Sequence, residues 1–357
     1  MHVITTVIPT YRRPKLLRRA IISVLQQSYP YFRILVCDNA SGDETESVVK
    51  LFQELDSRIF YHRHNENIGP YGNFNWGLNH IETDLFSLLS DDDVLMPSFY
   101  ATAIRDLGDY PDAAISAQNS LVISEHLRIL SGKTGPERTT YYPASSALED
   151  VVKVRIPATW TGMVFRRQVV TGIGTIDLNA GPFADGGFVM HAVAKYPIVA
   201  SPEIGAVLTA NPESISATMK PLSKDWPKWY GMMAARIVND PHVPDTLKVD
   251  INRLVLPNFK MTGIFQALRA MSIQEWQFAA QAIQGLSECG YTLPAKCLDL
   301  FSWCWRYIPG VASIMKVLKR IRRRKNDRQV NRLTSQYEEN VIYLRWLNTQ
   351  TSGAINK

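Results

Sequence analysis

Cysteine is scarce in this chain: Cys37, Cys289, Cys297 and Cys304 are all there is in 357 residues, and no two stand in a CxxC spacing. That disfavours a disulfide scaffold and points to a reduced, intracellular protein. His62, His64, His80, His126, His191 and His242 show no HxxxH spacing and no cysteine partner, so no zinc site is expected. No uncharged apolar run reaches the roughly 18 residues of a membrane span. The longest such tract, LFSWCW then YIPGVASIM, is interrupted by Arg306 and broken at Pro309-Gly310. No basic n-region or cleavage site precedes the first apolar run, so no signal peptide is expected. No GxGxxG follows that run and no GxxxxGK[ST] occurs, which disfavours a dinucleotide fold and a P-loop. Acids are almost missing from residues 306–332, where ten Lys/Arg face Asp327 alone. That local net of +9 leaves the rest of the chain near −3 against a total of +6, so one basic segment is indicated and a nucleic-acid-binding body is not.

What is present begins with hydrophobic residues, 46% against 20% charged, enough for a sizeable core in one large domain with an extension or in two domains. Residues 2–9 are a β-branched run that stops at Pro9. Pro14 then suits the first turn of a helix, with Leu16, Leu17, Ala20, Ile21, Val24 and Leu25 at helical spacing. A second strand over 32–36 ends at Asp38-Asn39, and Ser41 with Glu44 matches a capping box for the next helix. A third strand over 59–61 runs into a Gly- and Asn-rich turn, residues 65–73, and then a short helix through Trp76 and Leu78. A fourth, over 85–89, ends in Asp91, Asp92 and Asp93, and residues 113–123 suit a fifth.

This alternation predicts an α/β fold: a mostly parallel, Rossmann-like sheet flanked by helices. Ligands of such sheets bind beyond the carboxyl ends of the strands. Four polar clusters stand at those ends: residues 10–13, Asp38-Asn39, residues 65–73 and the acidic triplet. Three adjacent carboxylates repel one another and resist burial, so they need a counter-charge. Mg²⁺ or Mn²⁺ would supply it, held by one or two carboxylates and substrate phosphates. The alternative is a solvated turn whose acids favour the start of the helix near Pro97.

PTYRRP, VCDNASGDET, NENIGPYGNFNWGL and LLSDDDVLMP, in this order and spacing, resemble family-2 glycosyltransferases of the GT-A fold, of the bacterial surface-polysaccharide type. The resemblance covers about the first 220 residues. It implies that Pro9, Thr10, Tyr11 and Arg12 line a nucleotide pocket and that Asp38 accepts a hydrogen bond from the base edge. It places Asn67 and Gly69 beside base and ribose, with Asn73 in the same nucleotide-binding set, and Asp91 toward the ribose. Asp92 is the expected metal ligand, with Asp93 supporting it. Ser90 stands where family members often carry a further acid. Residues 160–167 look like the strand on the acceptor side, where Gly162 would allow close backbone approach. Residues 181–188 resemble the segment carrying the catalytic base, which makes Asp185 that base, although Ala184 replaces the usual acid before it and Asp177 is a rival. A lone Asp before a helix is otherwise an N-cap. Residues 211–216 resemble a loop that closes over the site.

Residues 226–290 read as helical, their apolar positions as core or packing. From Ser313 a helical pattern combines Ile314, Val317, Leu318 and Ile321 with seven Lys/Arg, preceded by Trp303, Trp305 and Tyr307. Such a basic amphipathic segment suits an anionic membrane surface, the alternatives being a solvated charged face or nucleic-acid binding. The expected domains are therefore a catalytic domain over 1–220, with a nucleotide-sugar half at 1–110 and an acceptor half at 111–220. A helical extension over 221–300, a membrane-associating segment over 301–332 and a tail over 333–357 follow. The resemblance implies a metal-dependent, inverting transferase that moves a sugar from a nucleotide diphosphate, most simply UDP, to a glycan or lipid-linked glycan. It would sit on the cytoplasmic membrane face. A nucleotidyltransferase is the rival enzyme, although TYRRP replaces the Gly-rich basic loop expected after its first strand. A sugar-binding or scaffold protein with a decayed site is the rival outside enzymes, given Ser90 and Ala184.

Overall fold

The computed structural model describes residues 2–132, 135–153, 155–156, 159–179, 181, 184–211, 226–248, 251, 263–264, 267–268, 270–272, 274–288, 291–307 and 327–352. The basic pattern over 313–325 and the expected closing loop over 212–216 lie outside them. The chain divides into two units, one of residues 1–178, 184–211 and 333–357, the other of 179–183 and 212–332.

In the first unit, β1 (Ile4–Thr10) is buried at every position, as its apolar and β-branched run requires. Helix α1 (Pro14–Leu25) starts on its proline and is followed by β2 (Phe32–Asp38), α2 (Thr45–Leu55) and β3 (Ile59–Arg63). Then come α3 (Pro70–Asn79), β4 (Leu85–Leu88), the two-residue β5 (Val94–Leu95) and α4 (Phe99–Asp109). Strands β6 (Ile115–Ser124), β7 (Ile129–Gly132) and β8 (Thr140–Tyr142) precede α5 (Leu148–Val152). A 3₁₀ turn (Trp160–Gly162), β9 (Met163–Arg166), α6 (Gln168–Ile173), α7 (Ala184–Lys195) and β10 (Ile198–Ala210) complete the sequence up to 211.

The strands form one sheet in the order β3-β2-β1-β4-β9-β6-β10-β5, with β7 on β6 and β8 on β10. The expected parallel sheet is found in β3-β2-β1-β4 and again between β6 and β10, while β9, β5, β7 and β8 join antiparallel. Ile4, Ile8, Ile34 and Val36 pack with Leu17, Ile21 and Val24 of α1 on one side. On the other, α3 lies so close that a Cβ on Gly77 would collide with Val7 Cγ1. Helices thus cover both faces of β1, which like β4 is buried throughout, while β3 at the sheet edge leaves Phe60 and Arg63 exposed.

The capping box expected at Ser41 and Glu44 does not form. Helix α2 begins at Thr45 with no side-chain hydrogen bond from Glu44. Asp43 Oδ1 accepts from the Thr45 amide at 3.0 Å instead, and the Ser41 hydroxyl is engaged elsewhere. Gly162 behaves as its sequence context suggests: a Cβ there would stand 2.7 Å from the Gln118 carbonyl.

Residues 333–357, which the sequence left as a tail, carry a structural element of the first unit. Helix α11 (Glu338–Ser352) buries Val341, Leu344 and Leu347 against Val94, Met96, Leu121, Ile123 and Val207. Burying each such side chain contributes roughly 1.5–3 kcal/mol. The second unit contains α8 (Trp226–Val238), α9 (Trp276–Glu288) and α10 (Thr292–Tyr307). Helix α9 buries Ala279, Ala282, Ile283 and Leu286, and α10 buries Ala295, Leu298 and Trp305, which meets Trp276 edge-on at 6.3 Å.

Candidate active site

The parallel register brings the polar clusters to one edge. Thr10 at the end of β1 stands opposite Asp38 at the end of β2, and Asp38 stands opposite Arg63 at the end of β3. Beyond β4, the Leu89 amide still bonds to Val7, so the acidic turn leaves from the same edge. Two non-glycine residues there have left-handed backbones, Arg12 (φ 55°) and Ala40 (φ 60°). Such conformations cost energy and persist only where neighbours hold them. Here the Arg12 amide donates to Ser41 Oγ at 2.9 Å and its Nε to the Ser41 carbonyl at 3.0 Å, tying the two strand ends together.

Asp38 is buried, and both oxygens are already engaged: Oδ1 accepts from the Ser41 amide at 3.0 Å and Oδ2 from Tyr61 Oη at 2.7 Å. Burial and that carboxylate together push the Tyr61 phenol far up. Asn39 bridges to the next cluster, donating to Asn67 Oδ1 at 2.9 Å and accepting from the Ile68 amide at 2.8 Å. Asn67 Oδ1 also takes the Gly69 amide. Gly69 has φ 79° directly before Pro70, a left-handed entry into α3 that favours glycine. Asn73 is buried, donates to the Cys37 carbonyl at 2.7 Å and accepts from His64 Nε2 at 3.0 Å. Pro9 is buried in the sheet opposite Cys37, whereas Tyr11 is exposed with the Arg12 guanidinium 5.0 Å from its ring centre.

The triplet is buried throughout. Asp91 Oδ2 accepts from Thr10 Oγ1 at 2.8 Å and Oδ1 from Arg13 Nη1 at 3.2 Å, and the same Nη1 stands 3.3 Å from Asp92 Oδ2. Asp93 accepts from the Thr209 amide at 3.0 Å and from Thr161 Oγ1 at 3.2 Å. Buried Arg19 donates to the Asp92 carbonyl and, at 2.8 Å, to Thr209 Oγ1. The protein itself therefore supplies part of the counter-charge that the sequence assigned to a metal. It is not enough. Burial pushes Asp91 up to about 6 despite Arg13. Burial also raises Asp92, against Arg13, Arg19 and a hydrogen bond from Asn211, and raises Asp93, with Asp92's charge adding to it. Desolvation lowers Arg19, a cost that the three acids oppose.

Asp185 lies exposed in the first turn of α7, its Oδ1 accepting from the Gly186 amide at 2.7 Å. Its charge reaches Tyr71 in the first turn of α3, whose phenol is raised by burial first and by Asp185 second. Asp177 is half-buried in the loop before α7.

Residues 5–169 match the family described as Glycosyl transferase family 2. The likeness to that family covers this stretch, somewhat under half of the chain. Over 106 residues, 29% of this chain, it is 36% identical to a GalNAc(5)-diNAcBac-PP-undecaprenol beta-1,3-glucosyltransferase of Campylobacter jejuni, covering 34% of that protein. Over 123 residues, 34% of this chain, it is 29% identical to the glycosyltransferase GlyA of Streptococcus pneumoniae, covering 18% of it. The matched part thus spans about a third or less of these curated relatives. Among solved structures, S. aureus TarS 1-349 in complex with UDP-GlcNAc superposes with a TM-score of 0.63 at 15% identity, covering 84% of this chain and 89% of that one. That likeness concerns the fold.

The divalent ion implied by the family-2 resemblance fits this acid set. Among the described residues no three His, Cys, Asp or Glu side chains form a ready cage. An ion held by one or two carboxylates and substrate phosphates needs none. Three buried carboxylates shifted upward by desolvation are a donor set that gains from added positive charge. Sequence reasoning counted Arg13 only within the polar cluster 10–13 and passed over Arg19, because helical spacing does not distinguish Arg19 from its neighbour Arg18. It also passed over Tyr61, His64 and Thr161, which hold the candidate residues in place. The one available signal was chemical: three adjacent acids demand cations.

Proposed function

We propose that the protein transfers a sugar from a nucleotide diphosphate donor, a UDP-sugar being the simplest fit, to a hydroxyl of a glycan or lipid-linked glycan in surface-polysaccharide assembly. The observation that carries this is the meeting of Thr10, Asp38, the Asn67–Gly69 turn and Asp91 to Asp93 at one sheet edge in a family-2 domain. The undecaprenol-linked substrate in the Campylobacter relative's name and the UDP-GlcNAc bound to TarS support the acceptor and donor classes.

Asp92 would hold Mg²⁺ or Mn²⁺, with Asp93 supporting it. When bound, that ion supplies positive charge against the diphosphate leaving group. The chain's own residues do the rest. Asp38 and Asn39 set the walls of the base pocket and Asn67 and Gly69 its turn, with Pro9, Thr10, Tyr11, Arg12 and Asn73 completing the nucleotide-binding set. Asp91 faces the ribose, oriented by Thr10. Asp185 accepts the proton of the attacking hydroxyl, a role worth roughly 10² to 10⁴ in rate. A base opposite the leaving group gives direct displacement with inversion. The protein acts at the cytoplasmic membrane face, held peripherally by its basic segment.

Asp185→Asn tests the base. Asn is nearly isosteric with Asp and keeps a side-chain oxygen for the Gly186 amide, so the fold and donor affinity should hold. It cannot accept a proton, so kcat should fall at least about 10²-fold while KM changes little. A kcat within about threefold of wild type, well short of the loss of a general base, would move the role to Asp177 or another acid. A screen of nucleotide sugars for Mn²⁺-dependent thermal stabilisation names the donor.

A further inference from the structure

Helix α10 is apolar on two sides. Its inner side, Ala295, Leu298 and Trp305, is buried. Leu293, Leu300, Trp303 and Tyr307 lie on the other side, and all are exposed, at 72%, 64%, 54% and 64%. At 100° per residue these four fall within a single stripe, together with Lys296. Trp303 and Tyr307 lean on each other, ring centres 5.9 Å apart, which leaves an aromatic pair at one end of the stripe. Four large apolar side chains in a row are more than the scattered exposure of an ordinary surface.

The sequence grouped Trp303, Trp305 and Tyr307 together and began the segment at 301. The structure separates them: Trp305 faces inward against Phe301 and Trp276, and the exposed stripe reaches back to Leu293.

We infer that the outer face of α10 is a docking surface for an anionic lipid leaflet. Trp and Tyr prefer the headgroup level, and Leu buries below it. The charge argument selects the occupant. The chain immediately after the stripe holds nine more Lys/Arg up to residue 332 and one acid. Basic residues near an anionic leaflet add attraction that an apolar stripe alone lacks, and a single weak anchor is not enough for stable binding. A second copy of the chain would bring the same positive charge to the contact and be repelled. The inference deepens the proposed membrane-face function, yet vesicle binding needs neither donor nor acceptor, so either can fail while the other stands.

The test uses the full chain and vesicles of phosphatidylcholine with or without phosphatidylglycerol, at low salt. Wild type should co-sediment with the phosphatidylglycerol vesicles, and brominated lipid should quench its tryptophan fluorescence. Leu300→Glu with Trp303→Glu should weaken partitioning at least tenfold while leaving UDP-dependent thermal stabilisation unchanged, since both side chains are already exposed. Lys319→Glu with Arg323→Glu should weaken it on anionic vesicles only. Partitioning unchanged by the Leu300/Trp303 pair would overturn the inference. So would an absence of vesicle binding, with or without a self-association in light scattering that the pair abolishes.

Discussion

Replacing Asp91 by Asn should stabilise the protein in the absence of metal while destroying part of its donor site. Asp91 is buried with Thr10 and Arg13 as partners, and its carboxyl is raised to about 6 from an ordinary 3.8. A folded-state value above the unfolded one means that the fold resists ionisation. Stability is then fully present below the unfolded value and is lost as pH rises through about 6. A shift of about two units corresponds to about 3 kcal/mol at pH 7.5 and to about half of that at pH 5. Asn keeps the shape and the Thr10 bond without the charge. The variant should therefore gain about 3 kcal/mol at pH 7.5, or roughly 6–12 °C in Tm for a domain of this size, and clearly less at pH 5. His62 is lowered by burial and works in the opposite sense over the same window, so the variant-minus-wild-type difference is the readout. The assay is thermal unfolding in EDTA at the two pH values, following the transition that UDP shifts. With Mn²⁺ and UDP the gap should narrow, because wild type gains more of the ligand's contribution. Equal Tm values for both proteins in EDTA at pH 7.5 would refute the reasoning.

Asp92→Ala should abolish Mn²⁺-dependent UDP binding with the fold retained, and unchanged affinity by calorimetry in saturating Mn²⁺ would reject it as the ligand. Asp38→Ala should lower donor affinity and also cost about 1–3 kcal/mol of stability, because the Ser41 amide and Tyr61 hydroxyl lose their acceptor; a variant of wild-type stability in urea would contradict that network. Leu344→Ala, in a fully packed site of α11, should cost about 2–5 kcal/mol and weaken UDP binding through β5, which follows the acids directly. A stable, fully binding protein lacking residues 333–357 would refute the structural role of that helix.

Removing residues 301–357 is not a clean test of membrane attachment. It would strip α11 from the core beneath β5 together with the basic segment. Charge reversal and stripe substitutions leave that core intact, which is why they are preferred.

The strand-helix alternation up to residue 110 was legible in the sequence because buried parallel strands need continuous apolar runs and their helices need a 3.6-residue period. Pro14 marked one boundary through backbone stereochemistry, which acts locally, whereas α3 begins at Pro70, inside the stretch 65–73 read as a turn. The clustering of polar residues at the strand ends followed from the same pattern. Tertiary structure alone decided the antiparallel insertion of β9 between β4 and β6, since no local signal encodes a partner 80 residues away. It also decided that Asp38 and Asp93 are gripped by Tyr61, Thr161 and Thr209, and that Arg13 and Arg19 face the acids. Charge partners across a fold are set by where the chain returns, not by spacing. For the same reason α11, with little amphipathic pattern of its own, owes its place to the apolar surface left by β5, β6 and β10.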